Sequence, residues 1–329
     1  MKTLIFGGTG FVGLNLAEEL LGQGEEVVLF DRQPLPDAAA RAFARLPGTL
    51  TSVIGDVTDS AAIAATVVPG IDSVILGSAV TADAAREARD PETILQVNLM
   101  ALTPILRAAK AACVRRVINL SSAAVYGRAA FGVPMVNETT APAPVGLYAI
   151  TKFSSEMVGE RLADLWGLDF VSVRLSAVFG PWERETGVRD TTSAPFQITE
   201  AARLGVPALL ARPGVRDWIY APDVARAVHA VARAGKLQHR LYNISASETW
   251  SALAWGQHLA SLQPGFACRL AEPGEAPNIN LHSDADRCPL SVARILTELD
   301  WKATVGLAAS AGQLHAWCNQ MGYSRKETP

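Results

Sequence analysis

The run Gly7-Gly8-Thr9-Gly10-Phe11-Val12-Gly13 limits what this chain can fold into more than any other stretch. It stands between a short apolar segment of β-formers, residues 3 to 6, and an amphipathic segment reaching about Leu21. The order is therefore strand, glycine turn, helix. Gly7 permits the tight turn, Gly10 lets the backbone approach a pyrophosphate, and Gly13 lets the helix pack close to the strand. The N–H groups at the start of the helix then face the anion. This makes Gly7, Thr9, Gly10, Phe11, Val12 and Gly13 candidates for holding a dinucleotide. A plain structural turn satisfies the same spacing, so the next strand is the check.

That strand, residues 26 to 30, is apolar and ends in Asp31, where a carboxylate accepts hydrogen bonds from an adenosine ribose. A carboxylate there repels a ribose phosphate, which favours NAD over NADP, although Arg32 next door can turn toward such a phosphate. Residues 52 to 54 lead to Gly55-Asp56-Val57, residues 72 to 76 to Gly77-Ser78-Ala79, and residues 117 to 120 to Ser121 and Ser122. Strands of this kind alternating with helical segments define an α/β doubly wound parallel sheet, a Rossmann fold, whose ligands lie beyond the carboxyl ends of the strands. From Pro91 to about Ala112 the pattern is helical, with Asn98 among its apolar residues, and Pro104 predicts a kink or break.

Length and composition fit this class. The 329 residues suffice for one large α/β domain with a smaller appended lobe, and 49% hydrophobic against 19% charged residues supplies a sizeable core. A net charge of -3 offers no general attraction for nucleic acid or an anionic membrane. Cys113, Cys268, Cys288 and Cys318 form no C-x-x-C pair and read as thiols in a reducing cytosol. Residues 1 to 6 run into the glycine turn without a signal-peptide core, and no apolar run reaches membrane-spanning length, so a cytoplasmic location is expected. The stretch His282-Ser283-Asp284-Ala285-Asp286 alternates acid and imidazole but reads as a structural loop, and no metal is expected. Residues 324 to 329 read as a frayed tail.

The chemistry is carried by Tyr148-Ala149-Ile150-Thr151-Lys152, where helical spacing puts phenol and ammonium on one face, one turn apart. Alone, such a pair is more often a surface pair. Its position after the glycine turn, Asp31 and Ser121-Ser122-Ala123-Ala124-Val125-Tyr126-Gly127 changes that reading. A free phenol titrates near ~10, and acid/base work near neutrality asks for about 4 kcal/mol of preferential stabilisation of the phenolate. Lys152 and a positive nicotinamide ring are the expected sources. Ser122 is positioned to donate a hydrogen bond to the reacting oxygen.

Together with Arg174-Leu175-Ser176-Ala177-Val178-Phe179-Gly180-Pro181 and Arg216-Asp217-Trp218-Ile219-Tyr220, these motifs resemble the extended short-chain dehydrogenase/reductase superfamily, specifically the NAD-dependent epimerase/dehydratase family. The resemblance implies Ser122, Tyr148 and Lys152 as the catalytic set. It puts Asp56 and Val57 on the adenine, with Gly77, Ser78, Ala79, Asn98, Tyr148, Lys152 and Leu175 also on the cofactor. Ser122, Tyr126, Arg184, Arg189 and Arg216 are then expected on the substrate side. It also implies a homodimer packed through the helices around 91 to 112 and 148 to 165. The expected division is 1–178 plus about 219–246 for the Rossmann domain, with about 179–218 plus 247–329 forming a smaller C-terminal α/β substrate lobe.

The polar loop from Trp182 to Ser193 reads either as a solvated loop or as a source of arginines for an anionic substrate. Three features depart from the nucleotide-sugar members. Ala177 replaces an expected asparagine, and Glu272-Pro273-Gly274-Glu275 carries an acid where a diphosphate-binding arginine is expected. Ala123 and Ala124 replace the Asp-Glu pair of dehydratases. The leading expectation is thus an NAD-dependent oxidoreductase acting on a secondary alcohol or carbonyl of a small polyhydroxylated molecule, a sugar or sugar acid. The alternative is a nucleotide-sugar epimerase. A cofactor-sensing regulator is a third class, disfavoured because a sensor needs no proton-transfer set.

Overall fold

Leu4, Ile5 and Phe6 have no exposed surface. A strand covered on both faces reads as an unbroken apolar run, and β1 (Lys2–Phe6) is of that kind. The computed structural model describes residues 1–190, 192–283 and 285–321. Thr191 of the polar loop, Asp284 of the His-Asp stretch and the expected tail at 324–329 lie outside them.

From β1 the chain turns into α1 (Phe11–Gly22), β2 (Glu26–Asp31), α2 (Asp37–Phe43), β3 (Thr49–Ile54), α3 (Ser60–Thr66) and β4 (Ser73–Leu76). After β4 come α4 (Ala84–Arg89), α5 (Pro91–Leu95), a π-helical turn (Gln96–Met100) and α6 (Leu102–Ala111). The break expected at Pro104 occurs earlier, in this wide turn, where the Ala101 N–H reaches back to the Gln96 carbonyl at 3.0 Å. Pro104 itself falls in the first turn of α6, where its missing N–H is not needed.

Next follow β5 (Arg116–Ser122), a 3-10 turn (Ala123–Ala130), α7 (Leu147–Trp166), β6 (Phe170–Leu175) and β7 (Ala177–Phe179). The smaller lobe begins with α8 (Ala194–Leu204), β8 (Ala208–Leu210) and β9 (Val215–Arg216), and β10 (Trp218–Tyr220) leads into α9 (Ala221–Arg233) and β11 (Leu241–Ile244). The chain ends with β12 (Trp250–Ser251), α10 (Ala252–Leu262), β13 (Cys268–Leu270), α11 (Ala293–Leu299) and α12 (Leu307–Met321).

Seven strands form one parallel sheet in the order β11-β6-β5-β4-β1-β2-β3. Because side chains alternate along a strand, Ile5 points into a core with Leu14, Val224 and Val228 of α1 and α9, while Leu4 and Phe6 point into one with Ile63, Ile105 and Phe170. Strand order reverses at β1, which pairs with both β2 and β4, and such a reversal opens a crevice at the carboxyl ends. The smaller lobe has its own core around Phe179, Ile198, Trp255, Leu259 and Leu314. Among the described residues its strands occur in pairs, β7 with β10, β8 with β13 and β9 with β12. Ile295 and Trp301, which the sequence assigns to the smaller lobe, instead pack into the core of the main sheet. Among the described residues no helix is long and apolar enough to cross a membrane.

Candidate active site

A cavity of about 780 Å³ lies between the carboxyl ends of the strands and the smaller lobe. The glycine turn forms one wall. Gly7 has φ 74°, a left-handed conformation that favours glycine, and its N–H donates to the Phe30 carbonyl at 2.9 Å. A Cβ on Gly13 would come within 2.3 Å of the Gly7 carbonyl oxygen, so α1 starts as close to β1 as a backbone allows. Gly7, Gly10, Phe11, Val12 and Gly13 line the cavity, as do Gly77, Ala79 and Leu175. Asp31, at the end of β2, accepts N–H bonds from Thr9 at 3.1 Å and Gln33 at 3.3 Å. Asp56 accepts the Thr58 N–H and hydroxyl, both at 2.8 Å, and lies 3.8 Å from Arg32. Val57 is buried beside it. The backbone of Ser78 lies against Gly7, and Ser78 lines a small cavity beneath the main one.

Two of the expected site residues are bonded within the protein. Asn98 spends its amide on the protein: its Oδ1 accepts the Val80 N–H at 2.7 Å, and its Nδ2 donates to the Val80 carbonyl at 3.0 Å and to Thr151 Oγ1 at 3.2 Å. It ties down the loop after β4. Tyr126 is fully buried, donates its hydroxyl to Asn243 Oδ1 at 2.7 Å and lies under the Arg174 guanidinium at 4.7 Å. Its ring is part of the scaffold and does not itself line the cavity.

Ser122, Tyr148 and Lys152 meet at the cavity floor. Ser122 ends β5, and its Oγ accepts the Ala124 N–H at 3.1 Å, which leaves its O–H free to donate. The Lys152 ammonium is 5.9 Å from the Tyr148 ring centroid and donates to the Leu120 carbonyl at 2.8 Å. Burial pulls its pKa down to about 8 against the opposing charge of Glu156. Glu156, one turn further along α7, forms a bidentate pair with Arg174 at 2.9 and 2.6 Å and accepts the Ser121 hydroxyl.

Desolvation pushes the Tyr148 phenol up from its ordinary value, opposed by the Ser122 hydroxyl, the Arg189 charge and the Thr81 hydroxyl. The protein alone therefore moves the phenol opposite to the direction expected from Lys152, whose ammonium is directed to a carbonyl. The protein's cation acting on the phenol is Arg189. Thr81 is a residue that sequence reading missed, although it directly continues the loop after β4.

Residues 182–190, with 192 and 193, form a strap across the top of the cavity. Glu183, fully buried, accepts the Ser193 N–H at 2.5 Å, the Ser193 hydroxyl at 2.7 Å and Arg189 Nη1 at 2.7 Å. The Arg189 guanidinium also lies 5.6 Å from the Phe11 ring centroid. Arg184 donates from Nη2 to the Thr9 carbonyl at 2.6 Å. Arg184, expected on the substrate side, lines the cavity with its guanidinium bonded to the glycine turn.

At the lobe end stand Arg216 and Arg287. Neither makes an ion pair among the described residues. Arg216 lies over the Trp218 ring and Arg287 over the Phe131 ring, at 5.6 and 5.4 Å. Burial, followed by the charges of Arg287 and Arg212, pulls Arg216 down to about 10. The Arg287 Nε is buried without a hydrogen-bond partner. Arg287 was not legible as a site residue, since no motif surrounds it. Glu272, in contrast, is exposed, and its N–H donates to Glu275, itself paired with Arg269. The carboxylate expected to face a diphosphate therefore lies outside the cavity lining. His282 lines the cavity, with Nε2 2.9 Å from the Thr192 carbonyl, and ties its loop to the strap.

A dinucleotide-type glycine turn facing a serine hydroxyl, a phenol and a buried ammonium defines an enzyme of the extended short-chain dehydrogenase/reductase class. More narrowly, the chain belongs to the NAD dependent epimerase/dehydratase family, whose model matches residues 3–245. It is 28% identical over 235 residues to a probable UDP-glucuronate 4-epimerase of Rhizobium meliloti, covering 69% of this chain and 67% of the relative. To the dTDP-glucose 4,6-dehydratase of Mycolicibacterium smegmatis it is 29% identical over 249 residues, covering 75% and 72%. Its fold matches that of the UDP-glucose 4-epimerase of Thermus thermophilus, solved with NAD, at TM-score 0.78 and 24% identity over 97% of this chain and 99% of the other. The UDP-glucose 4-epimerase of Thermotoga maritima, solved with UDP-glucose, matches at TM-score 0.79 and 20% identity over 98% and 100%.

Proposed function

We propose that this protein is an NAD-dependent epimerase of a sugar carried on a diphosphate, in which one hydroxyl-bearing carbon is oxidised and then reduced from its other face. The observation that carries this reading is the pair Arg216 and Arg287, two cavity-lining guanidiniums without a carboxylate partner among the described residues. Half-buried like charges that line one cavity favour an anion between them, and a guanidinium binds a phosphate through two parallel hydrogen bonds. With Glu272 turned away, the objection to a diphosphate falls, and the simple sugar-acid dehydrogenase loses its main support. The relatives with UDP- and dTDP-sugar activities are consistent with this choice.

Several of the chain's groups fit the cofactor. The Gly7–Gly13 turn suits the pyrophosphate, Asp31 the adenosine ribose, and Asp56 with Val57 the adenine edge. The carboxylate of Asp31 supports NAD over NADP. When bound, the nicotinamide supplies the acceptor and later the donor of hydride. Ser122 donates a hydrogen bond to the reacting oxygen and holds its carbon in place. As the phenolate, the Tyr148 oxygen would take the hydroxyl proton during oxidation, and as the phenol it would return one during reduction, with Arg189 supplying positive charge nearby. Ala123 and Ala124, which line the cavity beyond Ser122, offer no carboxyl group to expel water. This supports redox used twice over dehydration.

The test is incubation of the purified protein with UDP- and dTDP-hexoses and -hexuronic acids, followed by NMR of the sugar and absorbance of NADH. The expected result is interconversion of two epimers without net NADH. Stoichiometric NADH from a free sugar or sugar acid, with no conversion of any nucleotide sugar, would replace the proposal by the dehydrogenase reading.

A further inference from the structure

The strap over the cavity is anchored at both ends. Trp182 is buried between the rings of Phe43 and Trp317, at 5.5 and 5.1 Å, and its Nε1 donates to Glu18 at 2.8 Å. At the other end Ser193 is held by Glu183. Between these anchors the strap is latched across the crevice to the segment after β4. The Thr81 N–H donates to the Val188 carbonyl at 2.8 Å, and the Asp83 N–H to Asp190 Oδ2 at 2.8 Å. Arg86 donates from Nη1 to the Gly187 carbonyl at 2.8 Å and to Asp190 Oδ1 at 3.1 Å.

Its two arginines are treated differently. Arg189 has its charge balanced by Glu183 at 2.7 Å. Arg184 has no ion pair among the described residues. Its Nη2 is bonded to the Thr9 carbonyl at 2.6 Å, and its Nη1 is buried with no hydrogen-bond partner. A buried cationic N–H left unpaired is unfavourable, and in native structures such a group marks a missing partner. The bond to Thr9 fixes where that partner must be, beside Gly10 and the start of α1, where the helix N–H groups also favour an anion.

We propose that Arg184 is a ligand of the cofactor's diphosphate, held over the glycine turn by its bond to Thr9. The inference rests on the cofactor reading but not on the identity of the sugar. Its chemical basis is charge: a guanidinium that already satisfies one donor on Thr9 turns another toward the phosphoryl oxygens, completing from above what backbone N–H groups begin from below. An enzyme that oxidises and re-reduces one molecule gains from this, since its cofactor must stay in place between the two half-reactions.

The experiment compares binding of NAD, ADP and adenosine to the wild type, Arg184→Ala and Arg184→Lys by calorimetric or NMR titration, with no sugar present. A hydrogen bond between charged groups corresponds to about a 10- to 100-fold change in affinity. Arg184→Ala is expected to weaken ADP and NAD by that factor and to leave adenosine, which lacks phosphate, unchanged. Arg184→Lys should recover part of the loss. ADP binding by the alanine variant should also depend less on salt. Unchanged ADP affinity, or equal loss of ADP and adenosine, would overturn the proposal. If Arg184→Ala fails to fold, Arg184→Met, which keeps the aliphatic stem, reads the same difference. Because no sugar enters the titration, its outcome is separate from the test of epimerase activity.

Discussion

Tyr148 lies where desolvation raises its pKa, so in the free protein it is a neutral phenol at physiological pH. It can give up a proton to catalysis only when positive charge arrives close by. Tyr148→Phe removes the proton carrier and little else. Its turnover is expected to fall by about 10²- to 10⁴-fold while its affinity for NAD stays within about twofold. Turnover at the wild-type rate would remove the tyrosine from the mechanism. Asp217 poses a different problem, because burial pushes its carboxyl up to about 6 while its oxygen accepts the Ser245 hydroxyl at 2.5 Å and the Leu290 N–H at 2.9 Å. A carboxyl whose folded pKa is raised contributes stability below its ordinary value of 3.8, and that contribution is lost as pH rises through about 6. Asp217→Asn keeps an acceptor oxygen without the buried charge. Its Tm relative to wild type should therefore climb between pH 4 and 7, by the equivalent of about 1–3 kcal/mol. A difference that does not change with pH would contradict this.

At the scale of elements, the contact between the glycine turn and α1 tolerates no added atom. Gly13→Ala places a methyl 2.3 Å from the Gly7 oxygen and 2.8 Å from the Gly8 oxygen, so α1 must move outward. The expected cost is about 1–3 kcal/mol, seen as a lower Tm, together with weakened NAD binding in titration. Wild-type values of both would mean that the helix does not depend on this contact. Elements of this kind were legible in the sequence because hydrophobic period and glycine spacing are local properties. The strands at 2–6, 26–31 and 241–244 and the turn between β1 and α1 follow directly from them. The meeting of Ser122, Tyr148 and Lys152 in one cavity follows from strand order. Side-chain direction does not follow from either. Asn98 and Tyr126 stand close to the site in sequence but point into hydrogen bonds with Val80 and Asn243. Arg287 comes from a loop with no motif, and Glu272 turns outward, because the smaller lobe is folded by long-range packing around Trp255 that no local pattern encodes. The π-helical turn at Gln96–Met100 was likewise hidden, since it shares the apolar spacing of an ordinary helix.

At the scale of the whole molecule, Ile150, Met157, Val158 and Leu165 recur along one stripe of α7 and remain exposed, beside Leu95 and Met100 of the neighbouring helical segment. Met100, Met157 and Leu165 are 63%, 56% and 57% exposed, unusual for side chains of this size. The family resemblance makes a second copy of the chain the expected cover. Met157→Lys combined with Leu165→Lys should convert a dimer to a monomer in sedimentation, and a wild type that sediments as a monomer would end this reading.

The sheet order has a further consequence for synthesis. β6 forms an outer edge until β11 pairs with it, and β7, α8, β8, β9, β10 and α9 must all be made in between. At ~5–20 residues per second, a ribosome leaves that edge open for about 3–13 seconds, with its backbone N–H and C=O groups available to any other strand. A chain interrupted before Leu241 would keep this edge permanently and is expected to aggregate. Nascent chains should therefore depend on chaperones most strongly during the translation of residues 176 to 240.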